Sequence, residues 1–74
     1  MLRKNLRCCD GKRIRALREQ HRMSREQLAE EIGVEAMTIW RWEKGKTDPS
    51  LYFAQELSIV LGCSIDYLVG TNKK

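Results

Sequence analysis

The sequence predicts an all-α protein, a compact five-helix domain, and three observations lead there. An aspartate or serine stands directly before four stretches of helical apolar spacing, at Asp10, Ser24, Ser50 and Ser64, where a side-chain oxygen can hold the free amides of a first turn. Glycine follows four stretches, at Gly33, Gly45, Gly62 and Gly70, as expected of helix ends. No segment alternates apolar and polar residues at the period of two that a half-buried strand needs.

Taken in order, Asp10 caps a first helix over residues 11–21, with Ile14, Leu17 and His21 recurring at spacings of three and four. Ser24 with Gln27 is a capping-box pair opening a second helix, SREQLAEEI, whose inner side is Leu28, Ala29 and Ile32. Gly33 stops it, and Val34 leads into a third helix at about 35–44 that ends at Gly45 and the Thr47–Pro49 turn. Ser50 caps a fourth, LYFAQELSIVL, with Phe53, Ala54, Leu57, Val60 and Leu61 as its apolar face. Ser64 opens a last short helix, IDYLV. Residues 1–10 read as a basic N-terminal extension, 11–70 as the folded domain and 71–74 as a polar tail. Arg3, Lys4 and Arg7 read either as a solvated tail or as an arm that reaches a groove.

Composition narrows the function classes. At 74 residues the chain is near the size at which one apolar core only just outweighs chain entropy, which argues against a large enzymatic cleft. No apolar run is long enough to span a bilayer and the first ten residues lack an apolar signal region, so the reading is a cytoplasmic protein without membrane contact. Three cysteines, with Cys8 and Cys9 adjacent and Cys63 distant, form neither a disulfide framework nor a CxxC pair. With a single histidine, His21, placed to meet free helix-end carbonyls, neither a metal site nor a cofactor is expected. Glu26, Glu30 and Glu31 line an exposed face with no nucleophile or metal beside them, and no catalytic site is read. Net charge is +4, unevenly spread: residues 1–46 carry twelve Lys or Arg against seven Asp or Glu, and residues 47–74 carry two against three. A basic N-terminal half suits an anionic partner.

The second and third helices are separated by little more than Gly33 and Val34, which forces a steep crossing, the helix-turn-helix arrangement. One helix of such a pair fits the DNA major groove while the other crosses the phosphate backbone. Helical phase then divides the third helix. Glu35, Ile39, Trp42 and Lys46 share one side, and Ala36, Met37, Trp40, Arg41 and Lys44 share the other. The first side is the core side and holds Trp42. The second offers small and apolar surface for thymine methyls, and in Arg41 a planar fork matched to guanine O6 and N7. Trp40 lies on the flank, where it can pack on the sugar-phosphate wall, on the N-terminal segment or against a partner.

These residues resemble the lambda-repressor-like helix-turn-helix domain of phage repressors, Cro proteins and XRE-type regulators. Ser24, Leu28, Ala29, Gly33, Val34, Ile39, Glu43, Gly45, Pro49, Ile65, Leu68 and Gly70 stand in that family's register, over residues 12–70. The resemblance implies that Arg18 of the first helix pairs with Glu43 of the third as a structural ion pair. It implies base contacts from Ala36, Met37 and Arg41, and phosphate contacts from Ser24, Arg25, Lys44, Lys46 and Thr47, to which the flank position adds Trp40. Three departures stand out: Arg22 where glycine is usual, Glu35 where a capping serine or threonine is usual, and Met37 where a polar reader is usual.

The expected function is a sequence-specific double-stranded DNA-binding transcriptional regulator, a repressor acting by occlusion, as a homodimer on two half-sites. Ile65, Tyr67, Leu68 and Val69 are the candidate dimer surface, their other reading being completion of the core. The alternative function is an antitoxin or adaptor-type protein-interaction module with DNA binding secondary, which the apolar outer side of the third helix keeps open along with a protein partner.

Overall fold

The computed structural model describes residues 9–70, which form α1 (Gly11–Gln20), α2 (Arg25–Ile32), α3 (Ala36–Lys44), α4 (Leu51–Leu61) and α5 (Ile65–Val69). Arg3, Lys4, Arg7 and the tail 71–74 lie outside the described residues. Each expected helix is present, and its start is local chemistry. Asp10 Oδ1 accepts from the Lys12 amide at 3.0 Å. Ser24 and Gln27 close the reciprocal capping box, Oγ accepting from the Gln27 amide at 3.0 Å and Gln27 Oε1 from the Ser24 amide at 2.8 Å. Ser50 and Ser64 repeat the first half of that device with the amides of Phe53 and Tyr67. Only α3 starts without a side-chain cap: Glu35 has the extended backbone of a capping residue but its carboxylate bonds none of the helix amides.

One core joins the five helices. Ile14, Leu28, Ile39, Leu57, Leu61 and Leu68 are its largest fully buried side chains. Trp42, 5% exposed, stands among them one turn from Ile39 and meets the Phe53 ring of α4 at 5.7 Å between centroids. α3 packs against α1 and α2, while α4 supports α2 and carries α5. α5 in turn closes onto the start of α1: the Asp10 amide donates to the Leu68 carbonyl at 2.7 Å, and the Arg13 guanidinium covers the Tyr67 ring at 4.4 Å.

Several sequence expectations shift here. Cys9 is 2% exposed and part of the core, so the packed domain includes Cys9 and Asp10, which the sequence reading placed in the extension. Leu68, read as part of a dimer surface, is fully buried, and Tyr67 is half-buried beneath Arg13; both finish the core, because a five-residue helix must turn its apolar side inward to hold at all. His21 is the C-cap of α1, as its place before the first turn suggests, its exposed ring meeting the Leu17 carbonyl oxygen through Nδ1 at 2.9 Å. Cys63 is half-buried, and burial raises its thiol above the ordinary cysteine value, which keeps it protonated near neutrality.

Candidate nucleic-acid interface

The turn between α2 and α3 sets the interface. Gly33 ends α2 with φ of +94°, and both its amide and that of Val34 bond the Ala29 carbonyl, at 2.7 and 3.0 Å. A side chain at Gly33 would meet open space, so the left-handed backbone alone demands glycine there. At the preceding corner Arg22 adopts φ of +57° without being glycine, which locates the strain suggested by its departure from the family pattern.

α3 is held from below by charge. Arg18 Nε donates to Glu43 Oε2 at 2.6 Å and Arg18 Nη2 to Oε1 at 3.4 Å, with the two side chains 9% and 1% exposed. Arg18 Nη1 also donates to the Met23 carbonyl at 2.7 Å, tying the α1–α2 turn into the same contact. A third group, missed in the sequence, completes it: Arg25 Nε donates to Glu43 Oε1 at 2.9 Å. A phosphate contact is all the sequence suggests for Arg25, because its carboxylate partner is eighteen residues away, a separation at which no local spacing rule applies. One buried carboxylate therefore gathers two arginines and joins α1, α2 and α3. Buried pairs of this kind fix an arrangement more surely than they add stability.

The side chains assigned to DNA fall into distinct places. Met37 is 52% exposed and Arg41 is exposed, both on the outer side of α3, whereas Ala36 is half-buried with part of its surface against the core. Trp40 is half-buried and, with Ala36 and Met37, lines a depression of about 450 Å³ whose other wall is Arg18, Ser24, Arg25 and Glu26. It thus faces the start of α2, where a helix N-terminus directs amides outward. Lys44, Lys46 and Thr47 are exposed around the C-terminal end of α3. Glu35 and Lys46, assigned by helical phase to the inner side, are both exposed, since one is the N-cap and the other lies beyond the Gly45 turn where the helical period has ended.

The arrangement is a rigid helix presenting an exposed, basic and apolar side next to a helix N-terminus, and it coincides with known proteins. The helix-turn-helix family model matches residues 14–68. The repressor protein C2 of Salmonella phage P22 is 37% identical over 59 residues, covering 80% of this chain and 27% of the phage protein, so the chain spans about a quarter of that repressor. An HTH-type transcriptional regulator of Archaeoglobus fulgidus is 41% identical over 56 residues, covering 76% of this chain and 80% of the regulator. Among solved structures, the P22 c2 repressor in complex with synthetic operator 9T superimposes with a TM-score of 0.80 at 35% identity, covering 84% of this chain and 94% of the other. SinR in complex with DNA gives a TM-score of 0.68 at 34% identity, over 74% of this chain and 89% of the other. The chain belongs to the lambda-repressor-like helix-turn-helix family of transcriptional regulators.

Proposed function

We propose that this protein is a sequence-specific double-stranded DNA-binding transcriptional regulator that represses by occupying its operator, with α3 in the major groove. The observation that carries the reading is the outer side of α3, with Met37 and Arg41 exposed on a helix braced through Glu43 to both α1 and α2. The operator-bound P22 c2 repressor and DNA-bound SinR, similar along most of their described chains, support it. Ala36, Met37 and Arg41 then face base edges, and Ser24, Arg25, Trp40, Lys44, Lys46 and Thr47 face the backbone. The apolar outer side of α3, which kept the adaptor alternative open, is rimmed by Ser24, Arg25 and Glu26 at the start of α2, where the helix amides and the Arg25 guanidinium suit a sugar-phosphate wall.

The protein acts as a dimer in this reading, because one module of this size buries too little for tight specific binding. With Leu68 in the core, Ile65 and Val69 are what α5 has left for a second copy, while α4 exposes Leu51, Tyr52 and Ile59. A protein partner is consistent with the SinR protein/SinI protein complex, whose chain superimposes with a TM-score of 0.75 at 33% identity and is 59% covered. Selection of bound duplexes from a random pool tests the whole reading: a two-fold operator logo is expected. Arg41→Ala should weaken binding to that operator by about 1–3 kcal/mol and relax the preference at one base pair. An unchanged logo removes Arg41 from base readout.

A further inference from the structure

Four sulfur-bearing side chains lie among the described residues, and they differ in what can reach them. Cys9 is 2% exposed and belongs to the core. Cys63 is half-buried, and burial keeps its thiol protonated near neutrality, the form that reacts poorly with oxidants. Met23, in the α1–α2 turn, is half-buried against the core. Met37 alone among the four is open, at 52% exposure, on the outer side of α3 where it lines the depression shared with Trp40. Resting on the DNA-binding reading above, we propose that Met37 is a modification site: a hydroperoxide oxidises its thioether to the sulfoxide, and the change alters which base α3 accepts.

The reaction asks nothing of the protein but access. A sulfur lone pair attacks one peroxide oxygen and the O–O bond breaks. The proton left on the transferred oxygen passes to the departing hydroxide, which leaves as water; sulfur loses two electrons and the peroxide gains them. The product differs in the property that a base reader uses. A thioether is apolar and suits a thymine methyl, whereas the sulfoxide oxygen only accepts hydrogen bonds. Facing a methyl would strip that oxygen of water without return, while the exocyclic amines of cytosine and adenine in the major groove match it. The fold is spared, because Met37 is outside the core cluster and its side chain is half in solvent already. A duplex seated on α3 covers the sulfur, so the unbound protein is the form that reacts.

The test uses the full chain, hydrogen peroxide and an operator obtained by selection with the untreated protein. Peptide mass mapping should find the sulfoxide at Met37 before Met23, and operator DNA should slow its formation. The oxidised protein should bind the operator about tenfold more weakly per half-site, within the cost of one mismatched base pair, and a second selection should lose thymine at one position of the logo. Methionine sulfoxide reductases A and B together should restore the affinity. Met37→Leu, measured on an operator selected with that variant, should keep its own affinity through the same treatment. The proposal is overturned if Met37 stays reduced while Met23 oxidises, or if affinity and logo are unaltered once Met37 is the sulfoxide. It is overturned equally if the reductases regenerate Met37 without the affinity, or if Met37→Leu is as sensitive to peroxide as the wild type. Failure to select any operator, or a wild-type affinity indifferent to salt, would instead refute DNA binding itself.

Discussion

Gly11→Ala is expected to destabilise the domain by about 2 kcal/mol, although alanine is the better helix former. A methyl built on Gly11 would lie 2.4 Å from the Trp42 carbonyl oxygen and 2.5 Å from that of Glu43. Both obstacles are main chain, so neither can rotate away, and α1 or the end of α3 must move as a unit. Overpacking costs about 1–3 kcal/mol, and rigid obstacles place this case near the top of that range. The helix preference of alanine returns at most about 1 kcal/mol. A net loss of about 2 kcal/mol lowers the melting temperature of a domain this size by about 8–16 °C. Thermal and urea denaturation followed by far-ultraviolet circular dichroism measures it. A variant melting at or above the wild-type temperature would mean that propensity alone governs the position, and that α1 and α3 do not approach as described.

Three further substitutions probe the supports of α3. Glu43→Ala leaves Arg18 buried with the Met23 carbonyl and, at 3.9 Å, the exposed Glu19 carboxylate, and should cost about 3 kcal/mol; an unchanged urea midpoint would show that water reaches the arginines. Trp42→Ala removes the ring packed between Ile39 and Phe53 and should cost about 3–5 kcal/mol, enough to unfold most of the population, so retained cooperative melting would place Trp42 outside the core. Arg22→Gly relieves a left-handed residue and should raise the urea midpoint by about 0.5–1 kcal/mol in stability, the release of strain exceeding the added freedom of the unfolded chain; a lower midpoint would refute that balance.

What was legible in the chain follows the range of each interaction. Caps involve a side chain and an amide two or three residues away, and Asp10, Ser24, Ser50 and Ser64 all act where the sequence places them. Helical phase sorted Trp42 from Arg41 correctly, because both lie within α3, and it failed for Glu35 and Lys46 because they lie just past its ends. Contacts that bridge distant segments left less trace. The Arg18–Glu43 pair was reached through family register, whereas Arg25 on the same carboxylate, Cys9 in the core and the close approach at Gly11 depend on how three helices meet. Cys9 sits in a charged stretch whose composition suggests solvent, yet it is buried where the start of α1 meets the ends of α3 and α5.

The bond from the Asp10 amide to the Leu68 carbonyl brings the two ends of the domain to one point. That point borders the C-terminal end of α3, where Cys9, Asp10, Lys44, Gly45 and Val69 surround a shared depression. The described ends of the domain therefore both open at the rim of the recognition helix. The domain is in effect a module with a single attachment point, suited to insertion into a longer chain or to circular permutation. Fused segments would start within reach of whatever α3 is holding.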